Sequence, residues 1–151
     1  MRTQVGIIGA GPAGLVLALL LRRAGIDSVI IEDRTRDYIE RRIRAGLLEQ
    51  WAADLLVELG VGDRMQREGM FHDGIFLNFS GALHYIDFRK LIGKGVTIYG
   101  QQEVVKDIVA RLLADGEQIL FEVEDVSVHD FERGTPKIFS SSSSQSPFVM
   151  S

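Results

Sequence analysis

The sequence predicts an α/β fold in which buried parallel strands alternate with helices. A short β-rich apolar run at residues 4–8 is followed by good helix formers at residues 15–24, and then by a second apolar run, Ser28–Ile31. Apolar strands without polar alternation are typical of a parallel sheet covered on both faces. Further strand and helix patterns alternate along the rest of the chain, as they do in α/β domains.

Length and composition are those of one soluble globular domain. The chain has 151 residues, 46% hydrophobic and 25% charged, close to the averages for such domains. Its net charge of -4 argues against general binding to nucleic acid. It has no cysteine, and neither its N-terminus nor the apolar run at residues 15–21 fits a signal peptide or a membrane span. We therefore expect a cytoplasmic location and no membrane partner.

A glycine-rich turn joins the first strand to the first helix. Residues 9–14 read GAGPAG, which matches G-x-G-x-x-G. The first glycine permits the tight turn, the second lets the backbone approach a pyrophosphate, and the third lets helix and strand pack closely. Pro12 suits the first helical turn, and the helix N-terminus attracts an anion. The turn predicts a site for the ADP half of a dinucleotide, with contacts from Gly9, Gly11, Ala13 and Gly14.

An acid ends the second strand of this β-α-β unit. Glu32 directly follows Ser28–Ile31, where a carboxylate accepts hydrogen bonds from ribose hydroxyls. The alternative is a structural turn with an incidental acid, since glycine-rich turns also serve packing. The pattern by itself fits FAD and NAD equally well.

The middle of the chain predicts a helix, a hairpin and a further strand. Apolar residues at helical spacing indicate an amphipathic helix that Gly60 ends: Leu47, Leu48, Trp51, Leu55, Leu56 and Leu59. Residues 75–79 and 83–88 flank Ser80-Gly81-Ala82 and predict a β-hairpin. Residues 96–99 predict a third core strand.

The last third predicts a helix, a strand and a tail. Residues 103–113 are helical in pattern, and the turn Asp115-Gly116 leads into a strand at residues 119–123. From Ser140 the composition becomes serine-rich, and such a segment cannot bury enough apolar surface to order itself. The sequence therefore predicts a folded part at residues 1–135 and a disordered tail at residues 136–151.

The stretch RIRAGLLEQ at residues 42–50 resembles the flavoprotein aromatic hydroxylases. The resemblance includes residues 4–12, 24–27, 37–38, 85–87 and 97–101, and covers about the first 135 residues. It implies a Rossmann-like FAD-binding parallel sheet with a β-hairpin or antiparallel insertion. The fold would be incomplete at the C-terminus, because family members continue well beyond this chain, and a shifted or cut reading frame is the simplest hypothesis for that difference.

The resemblance also implies cofactor contacts outside the glycine turn. In the family, the strip matching Arg42, Ile43, Arg44, Ala45, Gly46 and Leu47 lies along FAD. The position of Arg44 neutralises the pyrophosphate, which suits the forked donors of a guanidinium, and Gln102 matches a further flavin contact. The alternative is that the arginines of residues 34–44 form a solvated charged loop, and we favour it for Arg34, Arg36 and Arg41.

Family members use NAD(P)H to reduce FAD and hydroxylate a phenol next to its hydroxyl. For the full-length parent, the resemblance implies 4-hydroxybenzoate as the phenol and 3,4-dihydroxybenzoate as the product. Asp33 replaces an arginine of the NADPH-dependent members, and its carboxylate would repel a 2′-phosphate, so NADH should serve the full-length parent at least as well as NADPH. His72 matches a histidine of a proton relay, although a lone histidine is more often structural. His84 and His129 match no role, no metal site is expected, and a homodimer is possible because family members are commonly dimers.

Two classes of function remain open from the sequence. The first is the FAD-binding portion of an aromatic-ring monooxygenase, inactive alone because the substrate-binding residues of the family lie further along; the phenol could differ from 4-hydroxybenzoate. The second is a stand-alone module that binds FAD or ADP without redox activity.

Overall fold

The structure is a computed structural model that describes residues 2–132, 134, 136–140 and 148–150. It divides into two compact units, the first formed by Met1–Arg42 with Ile108–Ser151 and the second by Ile43–Asp107. The helices are α1 (Pro12–Arg23), α2 (Arg36–Arg41), α3 (Gln50–Glu58), α4 (Asp63–Glu68), α5 (Phe88–Ile92) and α6 (Gln101–Ala114). The strands are β1 (Arg2–Thr3), β2 (Val5–Ile8), β3 (Ser28–Ile31), β4 (Leu47–Glu49), β5 (Met70–His72), β6 (Gly74–Phe79), β7 (Ala82–Asp87), β8 (Val96–Ile98), β9 (Gln118–Leu120), β10 (Ser127–His129), β11 (Lys137–Phe139) and β12 (Phe148–Met150).

A three-stranded parallel sheet, in the order β2-β3-β9, forms the centre of the first unit. Val5 pairs with Ser28, and Ile31 pairs with Leu120. All four residues of β3 are buried, as expected for a central strand covered on both faces. Helix α1 connects β2 to β3. The predicted β-α-β unit and the α/β fold class are confirmed.

The first unit also contains a mixed sheet in the order β1-β12-β11-β10. Ile138 of β11 is 1% exposed and belongs to an apolar cluster with Val29, Ile31 and Val123. Strand β11 therefore lies inside the segment 136–151 that the sequence predicts to be disordered, because Ile138 supplies buried apolar area that the serine composition conceals. Residues 141–147, which hold most of the serine run, lie outside the described residues, and the domain boundary at residue 135 stays a prediction.

The second unit contains an antiparallel sheet in the order β4-β8-β5. The sequence placed Leu47 and Leu48 on a helix, and this was wrong. They form β4, in which Leu47 pairs with Ile98, and helix α3 begins only at Gln50. The predicted strand at residues 96–99 is present as β8, but it belongs to this sheet, and β9 takes the third place in the parallel one.

The predicted hairpin is confirmed as β6 and β7, with Phe79 paired to Ala82. Its two turn residues, Ser80 and Gly81, both have positive φ, 52° and 74°, which is typical of the two-residue turns that match strand twist. Ala82 thus belongs to the strand. Phe88, expected in the hairpin, starts α5, which is capped by the Asp87 carboxylate accepting from the Lys90 N–H at 2.8 Å.

The predicted helix at residues 103–113 is α6, and Asp115-Gly116 forms the expected turn, with φ of +82° at Gly116. The strand that follows is shorter than predicted, because Glu122 has a φ of +59° that interrupts extended backbone. None of the helices in the described ranges is long and apolar enough to cross a membrane.

Candidate cofactor site

The glycine turn has the steric constraints that its sequence predicts. Gly9 ends β2 with a φ of +102°, a conformation that favours glycine, and its N–H donates to the carbonyl of Ile31 at 2.7 Å. A Cβ on Gly14 would collide with the carbonyl oxygen of Gly9 and lie 3.1 Å from Cγ2 of Ile7. Gly14 therefore permits the close packing of α1 against β2.

The outer surface of the same turn is open. Gly11 is the N-cap of α1 and has no side-chain cap, and a Cβ built on Gly9 or Gly11 would meet nothing within 4 Å. Pro12 has no N–H, and the N–H groups of Ala13 and Gly14 belong to the first turn, where a helix supplies no acceptor. An anion placed here meets free donors and the positive end of the helix dipole.

Glu32 is tied to this turn. Its side chain is buried, with the residue 7% exposed, and its carboxylate accepts from the N–H of Ala10 at 2.7 Å and from the N–H of Arg34 at 3.0 Å. Each oxygen keeps lone pairs for further donors. Glu32 therefore braces the glycine turn as well as offering acceptors for hydroxyls, and the sequence analysis missed the first role.

The arginine cluster of residues 34–44 divides into two groups. Arg34, Arg36 and Arg41 pair with Asp33, Glu40 and Asp37 at 3.4, 2.6 and 2.7 Å; the last two pairs lie on α2, a helix that the sequence did not predict. Arg42 lies over the Tyr38 ring at 5.7 Å. Within the described part of the chain, neither Arg42 nor Arg44 has a carboxylate partner, so both charges remain available for an anionic ligand.

The strip from Ile43 to Leu47 belongs to the second unit, where its backbone is fixed by β8. The N–H of Tyr99 donates to the carbonyl of Gly46 at 2.7 Å, and a Cβ on Gly46 would collide with the carbonyl oxygen of Tyr99. Ile43, Arg44 and Ala45 are exposed, Ile43 to 83%. Gly46 is therefore needed for the close approach of two strands, while the residues before it face outward.

Gln102 lies in the first turn of α6. Its Oε1 is buried and is without a hydrogen-bond partner among the described residues, and its amide lies over Gly100, where a Cβ would be 2.5 Å from Nε2. A buried acceptor without a partner costs free energy. A hydrogen-bond donor on a bound group that reached the Gln102 amide would satisfy this acceptor and remove that cost.

Four charged residues and one tyrosine form a network in the second unit that the sequence analysis did not find. Arg64 donates to Asp107 at 2.8 Å and to Glu103 at 2.6 Å, Tyr99 donates to Asp107 at 2.7 Å, and Lys106 donates to Glu103 at 2.7 Å. Arg64 is 39 residues from Glu103 in sequence. A local pattern could show Glu103 and Asp107 on one face of α6, but it could not supply Arg64.

Three members of the network have shifted pKa values. Burial and the hydrogen bond to Asp107 raise the pKa of Tyr99. Burial lowers the pKa of Arg64, but its hydrogen bonds to Asp107 and Glu103 outweigh burial and raise it overall. Hydrogen bonds from Lys106 and Arg64 lower the pKa of Glu103. The Tyr99 phenol therefore stays protonated near neutral pH, and Arg64 and Glu103 stay charged.

Comparison with protein families gives a match of residues 2–148 to the FAD binding domain model. The chain belongs to this family. It is 45% identical over 139 residues to p-hydroxybenzoate hydroxylase of Acinetobacter baylyi, covering 91% of this chain and 34% of the relative. It is 36% identical over 116 residues to 6-methylpretetramide 4-monooxygenase of Streptomyces rimosus, covering 74% and 27%. The resemblance to flavoprotein aromatic hydroxylases is confirmed, and the chain spans about a third of the first relative's length and about a quarter of the second's.

Solved structures of flavoprotein monooxygenases share the fold of this FAD-binding domain. PqsL of Pseudomonas aeruginosa, solved with 2-aminobenzoylacetate, has a TM-score of 0.84 at 19% identity, covering 99% of this chain and 41% of that chain. The p-nitrophenol 4-monooxygenase PnpA of Pseudomonas putida has a TM-score of 0.80 at 21% identity, covering 99% and 39%. At these identities the likeness supports the fold only.

The residues of this FAD-binding domain fit the cofactor on their own chemistry. An open glycine turn at a helix N-terminus suits a pyrophosphate, and Glu32 keeps acceptors for hydroxyls. Among the described residues, Arg44 has no carboxylate partner, and the buried Oε1 of Gln102 has no hydrogen-bond partner. The turn and Glu32 lie in the first unit, and Arg44 and Gln102 lie in the second.

The structure gives His72 no role in this FAD-binding domain. It is exposed on β5, where its backbone pairs with Val96, and the proton relay stays a prediction. His84 stacks on Phe79 with ring centroids 4.0 Å apart, and His129 lies 3.0 Å from the Ser127 hydroxyl. No group of three or more potential metal ligands occurs among the described residues.

Proposed function

We propose that this chain is the FAD-binding portion of an NAD(P)H-dependent aromatic-ring monooxygenase, with 4-hydroxybenzoate as the substrate of the full-length parent and 3,4-dihydroxybenzoate as its product. The observation that carries the proposal is the glycine turn braced by Glu32, with its outer face open. The similarity to p-hydroxybenzoate hydroxylase supports the choice of reaction. Bound FAD would supply the transfer of electrons from the nicotinamide to oxygen.

The first unit would hold the ADP half of the cofactor. The N–H groups at the start of α1 donate to the pyrophosphate, at a turn formed by Gly9, Gly11, Ala13 and Gly14. Glu32 accepts from the ribose hydroxyls while its two backbone donors keep the carboxylate in place. This division explains why a single acid can serve both the turn and the ligand.

The second unit and the residue before it would contribute along the rest of the cofactor. Arg44 and Arg42 supply positive charge to the pyrophosphate, and their lack of ion pairs in the described chain supports this use. Ile43, Ala45, Gly46 and Leu47 would complete the strip, and Gln102 would donate or accept at the flavin.

The nicotinamide preference is a further part of the proposal. Asp33 is 61% exposed at its side chain and lies 3.4 Å from Arg34. Its carboxylate would disfavour a 2′-phosphate near this segment. The full-length parent should therefore use NADH at least as well as NADPH, and a strong preference for NADPH in steady-state kinetics would contradict this.

The experiment is a titration of the purified chain with FAD and with ADP, followed by flavin fluorescence and by calorimetry. We expect both to bind and Glu32→Gln to weaken both by about tenfold, since it loses a charged acceptor. Arg36→Gln, which removes only a surface ion pair, is the matched control and should bind as the unaltered chain does. Absence of FAD binding by the unaltered chain would overturn the proposal.

The same sample distinguishes the alternatives. NAD(P)H oxidation is followed after addition of FAD and 4-hydroxybenzoate. We expect no hydroxylation by this chain alone, because the substrate site would lie in the two-thirds of the hydroxylase that the chain does not match. A chain that binds ADP as tightly as FAD and leaves NAD(P)H unoxidised supports a stand-alone nucleotide-binding module instead. Substrate-dependent turnover would show that the chain is a complete enzyme.

A further inference from the structure

Tyr99 connects the two segments of the second unit that the proposed function assigns to FAD. Its N–H donates to the carbonyl of Gly46 at 2.7 Å, and its own carbonyl oxygen lies where a Cβ on Gly46 would be. Gly100 follows directly, and its carbonyl accepts from the N–H of Glu103 at 2.9 Å in the first turn of α6. The backbone at Tyr99 therefore determines where the residues before Leu47 lie and where α6 starts.

The side chain of Tyr99 is held from two directions. Tyr99 is 5% exposed, and its hydroxyl donates to Oδ2 of Asp107 at 2.7 Å. Arg64 donates from Nε to the other oxygen, Oδ1, at 2.8 Å, and its guanidinium carbon lies 5.5 Å from the centre of the Tyr99 ring. Asp107 thus receives a donor on each oxygen, which fixes the ring position more tightly than packing alone.

Arg64 also fixes the start of α6. It donates to Oε2 of Glu103 at 2.6 Å and to the backbone carbonyl of Glu103 at 3.1 Å. With the bond to Asp107, one guanidinium contacts α6 at two positions one helical turn apart. Since a guanidinium is a rigid planar fork, this arrangement sets the helix relative to α4.

We propose that Arg64, Tyr99 and Asp107 are positioning residues for FAD: they set the strip at residues 43–47 and the amide of Gln102 without touching the cofactor. This rests on the proposed function. Three side chains converge on Asp107 and Glu103: Arg64 of α4, Tyr99 directly after β8, and Lys106 of α6. The two segments that Tyr99 joins are the FAD contacts of this unit under the proposed function. A role in stability alone does not explain why the network contacts both the strip and the start of α6.

The first measurement does not depend on FAD. Tyr99→Phe keeps the ring and removes the donor to Asp107, and Tyr85→Phe, on the exposed hairpin, is the matched control. We expect hydrogen exchange at the amide of residue 99 to accelerate about tenfold in Tyr99→Phe, with little change at Val96–Ile98. Equal acceleration throughout β8 would mean general destabilisation and would overturn the proposal, as would no change at residue 99.

The second measurement separates positioning from stability by comparing two ligands. AMP would contact only the glycine turn and Glu32, whereas FAD would also reach the strip and Gln102. We expect Tyr99→Phe and Asp107→Asn each to weaken FAD binding about tenfold while AMP binding, followed by NMR shifts of the Gly9 and Gly11 amides, stays unchanged. The double variant should lose little more than either single variant, because both remove the same contact.

The outcomes distinguish the two proposals. If the unaltered chain binds neither FAD nor AMP, the proposed function is overturned. The hydrogen-exchange measurement alone then decides whether Tyr99 holds the strip. Normal FAD binding by the chain with unchanged affinity in Tyr99→Phe and Asp107→Asn overturns the positioning role only. Equal weakening of FAD and AMP by these variants also overturns it.

Discussion

The glycine turn and the strip at residues 43–47, which the proposed function gives to the same cofactor, are held in place differently. In the turn, Gly9 bonds to the neighbouring strand, Gly14 packs on Gly9, and Glu32 bonds to Ala10. All these contacts lie within one β-α-β unit. The strip depends on Tyr99, more than fifty residues away, and on Arg64 behind it. A ligand site formed by one supersecondary unit can be predicted from local sequence. The contacts that hold a segment through residues distant in the chain cannot.

The largest expected effect is on stability, and it comes from comparing Gly14, which permits close packing, with Gly11, which leaves space for a ligand. Gly14→Ala puts a Cβ into the carbonyl of Gly9, and we expect it to lower the free energy of unfolding by about 1–3 kcal/mol, the usual cost of overpacking. Gly11→Ala has open space and a φ of -73° that alanine adopts readily. We expect it to change stability by less than about 1 kcal/mol, since a poorer N-cap is offset by a less flexible unfolded chain.

Urea unfolding and FAD titration of both variants make the test. Gly11→Ala should fold normally and still lose FAD affinity, because its methyl group occupies the face that the pyrophosphate would approach. If Gly11→Ala binds FAD as the unaltered chain does, the cofactor does not lie over this turn. If Gly14→Ala is as stable as the unaltered chain, the close packing of α1 on β2 is not a constraint.

A smaller effect tests the division of the arginine cluster. Arg44 has no carboxylate partner in the described ranges, so Arg44→Gln should leave the free energy of unfolding unchanged and weaken FAD binding by about ten- to a hundredfold, the range for loss of a charged hydrogen bond. Arg41→Gln breaks an exposed pair with Asp37. It should cost at most about 0.5 kcal/mol of stability and leave FAD affinity as it is. The reverse pattern would show that Arg44 is the structural residue.

The elements that sequence predicted are those whose signals are local. Ser28–Ile31 was predicted with its observed bounds because three consecutive β-branched apolar residues, Val29 to Ile31, have few alternatives to a strand between Gly25 and Glu32. The hairpin was found because Ser80-Gly81 supplies the positive φ values that its turn requires. These features need no knowledge of a distant partner.

The errors in predicting strands and helices came from pairing with strands distant in sequence, which local patterns cannot show. Leu47 and Leu48 have helical spacing with Leu55 and Leu59, yet pairing of Leu47 with Ile98 makes them a strand. Val96–Ile98 has the composition of a core strand, but its neighbours are the antiparallel strands β4 and β5 rather than β3. The ligand role of Arg44 stays a prediction from resemblance, since no local pattern distinguishes one of the five arginines at residues 34–44 as a ligand contact.

The smallest expected effect concerns the acid dependence of the network around α6. Hydrogen bonds from Lys106 and Arg64 hold the pKa of Glu103 below its ordinary value of 4.5 in the folded chain. A group with a lowered folded pKa stabilises fully above its unfolded pKa, and that stabilisation is lost as the pH falls through the folded pKa. The contribution should be about 0.5 kcal/mol, as for a partly exposed ion pair.

Urea unfolding of the unaltered chain and of Glu103→Gln between pH 7 and pH 3 tests this contribution. The difference between them should be constant at neutral pH and shrink below the ordinary pKa of a glutamate, because protonation then removes from the unaltered chain what the substitution has already removed. Glu124→Gln, at an exposed position, should follow the unaltered chain at every pH. A difference that stays constant down to pH 3 would mean that the Glu103 side chain contributes by shape rather than by charge, and that Arg64 is held on α6 chiefly through Asp107.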